Sequence, residues 1–461
     1  MSTKRKMLLN KSHDTNEKKG FYKLVFALVI PMALQNLINV GVSSADVIML
    51  GRVSETSISA SSLANQIQFI MTLITFGITS GASVLTAQYW GKQEVRTIEK
   101  IFGMAMRIAL AVALIFTIAA LIFPYQLMSI YTRESDVIEQ GVTYLRIVSF
   151  SYILIAITSV YLNIMRSVEK VIISTVVYFI SLLINIILNY ILIFGKLGFE
   201  PMGIKGAAIA TLIARIVELV IVFLYDKLYN NVTRFRIKDL FIRDKLIMKD
   251  FLIYTIPVML NEIVWGTGTS ANSAILGHLG KSVVAANSVT QITRQLAMVV
   301  AFGVANATAI LIGKAIGEDK FDKAKLYASR FVRLSIVLGI IGGFIVLVAS
   351  SIARSYLSLS GEAQSYLKFM MIVISYFALC QSFNSTLVVG VFRAGGDTKF
   401  GLFIDVTTLW GCSILLGFLA AFVFKLPIYI VYTLLMSDEV IKIPITYKRY
   451  KSMKWLKNIT R

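Results

Sequence analysis

Long apolar runs separated by short polar turns recur along the whole chain. Residues 171–194 hold no charged side chain, and residues 104–123 hold only Arg107. Each run has about the 20 residues that a helix needs to cross the apolar core of a bilayer. The pattern predicts an all-α polytopic membrane protein with about twelve transmembrane helices. We place these helices at residues 24–50, 57–88, 101–123, 141–163, 171–195, 204–226, 250–277, 283–312, 328–350, 364–391, 399–424 and 426–446.

The second half of the chain repeats the first at a shift of 226 residues. Pro31 then falls on Pro257 and Gly51 on Gly277, and further along, after a small change of register, Arg166 pairs with Arg393. Because six helices is an even number, both halves enter the membrane in the same direction. We therefore expect two six-helix lobes related by a pseudo-two-fold axis along the membrane normal. Transporters built in this way bind substrate between the repeats near the midplane.

The repeat and the distribution of charge predict five segments. These are a cytoplasmic N-terminal tail at 1–23, an N-lobe at 24–226, a cytoplasmic linker at 227–249, a C-lobe at 250–446 and a basic cytoplasmic tail at 447–461. No cleavable signal peptide is recognisable at the N-terminus, so the first helix is expected to act as its own insertion signal.

Composition agrees with a membrane protein. Of 461 residues, 57% are hydrophobic and 15% charged, whereas soluble proteins carry about 25% charged residues. The net charge of +21 arises largely in residues 4–23, 227–249 and 442–461, each with seven Lys or Arg. This distribution follows the positive-inside rule, so it indicates cytoplasmic termini and contact with anionic lipids, not nucleic-acid binding. We expect a monomeric, multi-pass protein of a bacterial plasma membrane.

Carboxylates inside apolar spans are costly, so they are candidates for function. Asp46 shares one face of helix 1 with Asn36, Asn39 and Ser43, and polar residues continue inward along it. We interpret Asp46 as a cation- or proton-coupling residue. The alternative is a solvated carboxylate at the external mouth.

Glu262 on helix 7 is the second acid, and the repeat places it opposite Asn36. Trp265, Thr269 and Asn272 share its face, and we assign them to the substrate cavity. The alternative for Glu262 is a structural hydrogen bond between helices. Asp405 is either an interfacial anchor or a cavity acid.

Two pairs of oppositely charged residues are interpreted as structural, and two prolines lie at matching places in the two halves. Arg215–Glu218 and Asp438–Lys442 have the spacing of structural ion pairs within a helix. Pro31 and Pro257 permit a kink at the same place in each half, which suggests twin hinges, a static kink being the alternative.

No enzyme signature is present in the sequence. There is no phosphate-binding glycine loop and no cluster of metal ligands, and the two cysteines lie in apolar stretches typical of core residues. We therefore expect neither catalysis nor a cofactor. Transport energy would come from a Na+ or H+ gradient.

Several segments of the chain resemble the multidrug and toxic compound extrusion (MATE) family of the MOP flippase superfamily. The resemblance is carried by residues 35–39, 45–51, 60–66, 185–195 and 393–398. It implies a cation-coupled antiporter with two six-helix lobes that exports amphipathic, often cationic, organic compounds.

The resemblance also implies roles for single residues. Asp46 stands at the family's helix 1 coupling carboxylate, where Na+ can bind transiently, and Asn185 matches the polar residue beside it. Asn189 occupies a position that is aspartate in one branch. The helix 7 glutamate of another branch falls on Trp265, and helix 10 offers Gln381 and Asn384, which we assign to the cavity.

Two rival functions stay open. A lipid-linked oligosaccharide or polysaccharide flippase would share the fold but tends to carry cationic cavity residues. An ion channel is disfavoured by the lobed repeat, because channels build their filters from rings of groups around one pore.

Overall fold

The computed structural model describes residues 3–233, 237–242, 244–356 and 360–461, and within them all regular structure is helical. The side chains of residues 3–18 and of Ser43, 237, 355 and 356 lie outside the description. The first half contains α1 (Thr3–Gly51), α2 (Glu55–Gly91), α3 (Val95–Ile122), α4 (Pro124–Ser129), α5 (Ser135–Ser167), α6 (Ile172–Phe194) and α7 (Gly203–Leu228). The second contains α8 (Lys245–Gly277), α9 (Lys281–Gly317), α10 (Phe321–Tyr356), α11 (Gly361–Ser385), α12 (Thr398–Asp405), α13 (Leu415–Phe418), α14 (Ile428–Leu435) and α15 (Asp438–Lys451).

Short irregular turns join some of these helices. A 3₁₀ turn at Ile237–Phe241 lies in the linker between the halves. π-helical turns at Thr386–Phe392 continue α11, and those at Val406–Ile414 and Leu419–Val423 link α12 to α13 and extend α13. As a result, residues 361–392 and 398–423 are each one continuous span.

Ten helices within the described residues are long and apolar enough to cross a membrane. The two predicted spans outside this set carry charged groups. One is α8, which includes Lys249, Asp250 and Glu262, and the other is the segment 426–446. The predicted all-helical membrane architecture is confirmed. The two polar spans are those that carry the second-lobe site described below.

The last predicted span is broken instead of continuous. α14 ends at Leu435, and α15 begins at Asp438 with two acids, Asp438 and Glu439, in its first turn. Negative side chains are favoured at a helix N-terminus by the helix dipole. The break therefore places a new helix start, with its acids, inside the bundle.

The repeat seen in the sequence recurs in the helix boundaries. α2 and α9 each have 37 residues, and both ends of the two helices differ by the same 226-residue shift. α1 and α8 end at Gly51 and Gly277, again 226 apart. Each of these two helices contains the predicted proline, Pro31 or Pro257.

The two halves contact each other through matching helices: α2 packs on α8, and α9 packs on α1. Glycines allow the close approach on both sides. A Cβ atom at Gly81 would lie 2.5 Å from the Cα of Thr255, and one at Gly303 would lie 3.3 Å from the carbonyl oxygen of Val29. This reciprocal packing is what a pseudo-two-fold axis between two lobes requires.

Each half also has a buried apolar core of its own. Ala105, Leu145 and Tyr152 belong to the first core, while Met371 and Tyr432 belong to a second-half core. The division into lobes at 24–226 and 250–446 stays a prediction. Residues 3–23, predicted as a tail, are part of the helix α1.

Candidate functional site: a cavity between the lobes

Asp46 lies in a small polar cluster formed by α1, α6 and α7. The Nδ2 atom of Asn189 donates to Asp46 Oδ1 at 2.5 Å and to Asn185 Oδ1 at 3.1 Å. Asn185 in turn donates to Thr211 Oγ1 at 3.5 Å. The Oδ1 atom of Asn189 is buried and accepts no hydrogen bond among the described residues. A carboxylate beside an unpartnered amide oxygen is a suitable start for a cation or proton site, since hard cations prefer oxygen ligands.

This cluster unites Asp46 with Asn185 and Asn189, which lie about 140 residues further along the chain. Asn185 and Asn189 are four residues apart, so they share one face of α6. Because α6 packs against α1, this face can meet Asp46. Burying these two amides without partners would be costly, and their hydrogen bonds offset that cost.

The predicted acid of the second half, Glu262, is ion-paired. Its Oε1 atom accepts a hydrogen bond from Arg393 Nη2 at 2.7 Å, and the two side chains are only 13% and 5% exposed. Arg393 also donates to Asn261 Oδ1 at 2.9 Å and to Ser80 Oγ at 2.9 Å. Because Ser80 belongs to α2, Arg393 bonds to both halves of the chain.

A buried charge cluster lies next to Glu262. Lys442 Nζ is 2.8 Å from Asp405, 3.1 Å from Asp438 and 3.3 Å from Glu439. The predicted pairing of Asp438 with Lys442 is therefore present, but it is one of three contacts. Three acids around a single lysine leave an excess of negative charge if all are ionised. The break before α15 and the buried position of Asp405 on α12 create this cluster.

Amide side chains connect the charge cluster to its surroundings. Asn261 Nδ2 donates to Asp405 Oδ2 at 2.5 Å, and Asn384 Nδ2 donates to Glu439 Oε2 at 2.8 Å. Gln381 is also buried, and its Oε1 atom has no hydrogen-bond partner among the described residues. Asn384 and Gln381 are two of the residues predicted to line the cavity.

A cavity of about 280 Å³ opens between the halves and reaches these groups. Residues from both halves line it: Asn36, Phe76, Arg166, Asn261, Glu262, Trp265, Phe302, Ala305, Asn306, Gln381, Asn384, Ser385, Val388, Val389, Arg393, Asp405, Glu439 and Lys442. Six of these residues are charged, six are polar and six are apolar or aromatic, so the cavity combines charged groups with apolar surface.

The predicted cavity residues divide into two groups. Asn36, Trp265, Gln381 and Asn384 line the cavity, as does Glu262. The others do not: Asn39 is exposed, Asn272 and Asn189 are buried, and Thr269 donates to Gly266 on its own helix. Ser43 lies outside the described side chains.

The basic residues of the cavity are Arg166, Arg393 and Lys442, and our sequence analysis assigned none of them to it. The sequence could have pointed to two of these residues, because Arg166 and Arg393 align in the repeat. The structure places both at helix ends that face the gap between the lobes.

One end of this gap is closed by contacts between the halves. Gln88 Nε2 donates to the carbonyl oxygens of Ala394, at 2.7 Å, and Lys457, at 3.1 Å. Lys314 and Glu169 form an ion pair across the gap at 2.6 Å. The C-terminal segment 452–461 takes part in this closure, and we call the whole set of contacts the basic-end seal.

A metal centre is not indicated by the described residues. Within them, no group of three or more His, Cys, Asp or Glu side chains is arranged to hold a metal ion. The acids of the charge cluster are bound to Lys442 instead.

Comparisons with known proteins agree with this architecture. The MatE family model matches residues 31–191 and 257–443, one segment in each half. The chain is 22% identical to "Probable multidrug resistance protein YoeA" of Bacillus subtilis, over 96% of both chains. It is 22% identical to "Probable multidrug resistance protein NorM" of Thermotoga maritima, over 94% of this chain and 93% of the relative.

Solved structures show the same fold. A multidrug resistance MATE family transporter of the MOP superfamily, in an outward-facing conformation, superposes with a TM-score of 0.81 at 19% identity. The alignment covers 94% of this chain and 96% of that structure. A MOP superfamily transporter from Pyrococcus furiosus gives a TM-score of 0.83 at 18% identity, with the same coverage. The repeat, the two-lobed helical fold and the family model lead to one conclusion: this chain belongs to the MATE family of multidrug efflux transporters.

Proposed function

We propose that this protein is a secondary-active antiporter that exports amphipathic, often cationic, organic compounds in exchange for Na+ or H+. The observation that carries the proposal is the cavity of about 280 Å³ lined by residues of both lobes and closed at one end by the basic-end seal. A site between two lobes is exposed to one side or the other when the lobes rock, which is alternating access. No enzymatic activity and no resident cofactor form part of the proposal.

The cavity chemistry supports organic cations as substrates. Glu262, Asp405 and Glu439 provide negative charge, and Phe76, Trp265 and Phe302 provide apolar faces. An ammonium group is attracted both by carboxylates and by the faces of aromatic rings. Asn36, Gln381 and Asn384 would supply polar contacts that fix the orientation of the substrate.

We assign coupling first to Asp46. Its carboxylate, the unpartnered Asn189 Oδ1 and the nearby Asn185 form the polar cluster of the first lobe. Since this cluster does not line the cavity, a cation or proton at Asp46 would act on substrate through movement of α1 and α6. Pro31 interrupts the hydrogen bonding of α1 and is the proposed hinge, with Pro257 as its counterpart in α8.

We assign a second coupling role to Glu262. Its ion pair with Arg393 holds α8 to the end of the α11 span, and Arg393 also reaches Ser80 in the first lobe. Neutralisation of Glu262 by a proton would remove the counter-charge of Arg393 and weaken this connection between the lobes.

One observation favours a second candidate, the export of lipid-linked oligosaccharides. Arg166, Arg393 and Lys442 are cationic cavity residues of the kind that pyrophosphate recognition needs. The two basic side chains Arg393 and Lys442 are paired with acids, which favours the drug antiporter.

The experiment is efflux of ethidium from proteoliposomes, first under an imposed Na+ gradient and then under an imposed pH gradient. We expect one gradient to drive efflux in the wild type, and Asp46→Asn to abolish the response while membrane insertion persists. Asp136→Asn, in the exposed first turn of α5, is the matched control. Gradient-driven efflux at the wild-type rate by Asp46→Asn would exclude Asp46 as the coupling residue.

A topological test accompanies it. We propose a monomer in a bacterial plasma membrane with both termini and the linker in the cytoplasm, in contact with anionic lipids. Tags at residue 2, near residue 235 and at residue 461 should all be inaccessible from outside the cell. A single accessible tag would contradict the six-plus-six arrangement.

A further inference from the structure

An open groove of about 550 Å³ lies where α8 and α12 pack side by side, and we call it the α8–α12 groove. Lys245 and Lys249 line it from α8, and Lys399 lines it from α12. The same part of α8 binds the C-terminal segment through Asp250 and Arg461, so the groove lies at the end of the bundle that the basic-end seal closes. Its other described lining residues are all apolar: Met248, Leu252, Ile253, Ile256 and Pro257.

The charge of the three lysines is not neutralised by the described residues. Within that part of the chain none of the three forms an ion pair or a hydrogen bond, and the described lining of the groove includes no Asp or Glu. The neighbouring acids of α8 are bound elsewhere, Asp244 to Lys100 at 3.0 Å and Asp250 to Arg461 at 2.6 Å. A negatively charged ligand in the groove would therefore meet three available ammonium groups.

The basic and the apolar residues of α8 lie at different depths along the helix. Lys245 and Lys249 come first, and Leu252, Ile253 and Ile256 follow on the same side, each 38–43% exposed. At 1.5 Å per residue, Lys245 and Ile256 are about 16 Å apart along the axis. One leaflet of a bilayer has a hydrocarbon thickness of about 15 Å, half of the whole core. Positive charge followed by one leaflet's depth of apolar surface matches a phospholipid.

The charge of the groove selects among possible ligands. Basic pockets between transmembrane helices bind the headgroups of anionic lipids. A free phosphate ion would use the lysines but leave the apolar part of the groove without a partner. A zwitterionic phospholipid would fill the apolar part, but it brings a cation of its own, which the lysines repel. An anionic phospholipid uses both parts.

We propose that the α8–α12 groove is a binding site for an anionic phospholipid. The ammonium groups of Lys249 and Lys399 hold its phosphate, with Lys245 beside them, and its acyl chain packs along Ile253 and Ile256. Lysine side chains suit this place, because their stems cover apolar surface while their charged ends reach the headgroup.

A bound lipid would connect two helices of the candidate site. Its phosphate joins α8, which carries Glu262, to α12, which carries Asp405. The acyl chain lies against Pro257, where α8 lacks one backbone hydrogen bond. This inference goes beyond the proposed efflux function, and with the proposed topology the lipid belongs to the cytoplasmic leaflet.

The test is native mass spectrometry of the purified full-length protein in detergent, titrated with phosphatidylglycerol or with phosphatidylcholine of the same acyl chains. Each basic residue near an anionic headgroup corresponds to about a fivefold change in affinity. We expect the wild type to prefer phosphatidylglycerol by at least about tenfold. The double variant Lys249→Gln/Lys399→Gln should weaken phosphatidylglycerol by about 25-fold and phosphatidylcholine by less than about threefold.

Two further variants separate the groove from general surface charge and from a site for the headgroup alone. Lys170→Gln/Lys227→Gln removes the same charge at two exposed lysines outside the groove, so it should change phosphatidylglycerol binding by less than about threefold. Ile253→Trp keeps all three lysines but fills the apolar part of the groove, so it should weaken phosphatidylglycerol.

Several results would overturn the lipid site. These are equal affinity of the wild type for the two lipids, equal loss in the two double variants, and full phosphatidylglycerol binding by Ile253→Trp. A wild-type dimer that the groove variant loses would show that a second copy covers the groove instead. If the groove variant does not fold, the lipid preference of the wild type and Ile253→Trp decide. Because binding is measured without a gradient, its failure leaves the antiporter standing, and failure of ethidium efflux leaves the lipid site standing.

Discussion

Removal of Lys442 should destabilise the protein more than the loss of any surface lysine. The Lys442 side chain is only 4% exposed, and its ammonium is the cation within contact distance of Asp405, Asp438 and Glu439. Methionine has a similar length and can fill the space. The substitution Lys442→Met therefore removes the charge while largely keeping the volume.

The magnitude follows from the carboxylates left behind. Removal of one partner of a buried ion pair costs about 3–5 kcal/mol, because the remaining charge is uncompensated. Three acids lose their counter-ion here, but protonation of one of them would relieve part of the cost. We therefore expect the free energy of unfolding to fall by about 3 kcal/mol.

The assay is denaturant-induced unfolding of the purified protein in one detergent. Lys205→Met, at an exposed position of α7, is the matched control and should change the free energy of unfolding by less than about 0.5 kcal/mol. The double variant Lys442→Met/Asp405→Asn removes one carboxylate as well, so it should recover part of the loss. A loss below about 1 kcal/mol in the single variant, the range of exposed ion pairs, would refute the reasoning.

Three shorter predictions test other contacts. Glu262→Gln keeps a hydrogen-bond acceptor for Arg393 but removes its counter-charge. Cation efflux from proteoliposomes should therefore weaken, and the free energy of unfolding should fall by about 1.5–3 kcal/mol. An unchanged efflux rate would contradict this prediction. Deletion of residues 452–461 should open the basic-end seal, because it removes the Lys457 carbonyl that accepts from Gln88, and should raise labelling of a cysteine placed at Ala394, a buried position that contributes only its backbone carbonyl to the seal; unchanged labelling would show that the segment does not close the gap. Hydrogen bonds from the backbone N–H of Ile247 and from Lys100 lower the pKa of Asp244. The stabilisation of the start of α8 by Asp244 should therefore be fully present above the unperturbed pKa of 3.8 and be lost as pH falls through the lower pKa of the folded protein. Hydrogen exchange at Ile247 in the wild type and in Asp244→Ala measures this, and a difference between the two that grows on acidification would contradict it.

Much of the architecture could be predicted from the sequence alone. Hydropathy depends on runs of neighbouring residues, so the apolar spans were visible without knowledge of how they pack. The repeat was also visible without knowledge of packing, because a shift of 226 residues aligns Pro31 with Pro257. The ends of α2 and α9 follow the same shift. The break before Asp438 was missed, because the flanking residues on both sides are compatible with a continuous helix.

The candidate site was predicted only in part. Asp46 was chosen as a carboxylate inside an apolar span, and Asn185 and Asn189 through the family resemblance; the structure brings the three together. The assignment of Asn36 and Trp265 to the cavity agrees with their positions, whereas Asn39 on the same predicted face is exposed. A helical face is defined by sequence spacing to within about one residue step of 100°, which is too coarse to decide which of two neighbouring polar side chains reaches a cavity.

Only the tertiary structure decided which charges of different helices meet. Glu262 and Arg393 are 131 residues apart, and Lys442 reaches Asp405 from a different helix. Arg166 and Arg393 align in the repeat, but they lie in the cavity because the end of α5 and the end of the α11 span face the gap between the lobes. The sequence determined the spans and their symmetry because these depend on local hydropathy and repeated spacing. Pairing across the bundle depends on how each helix is rotated and tilted against its neighbours, and that is set by packing of side chains that are distant along the chain.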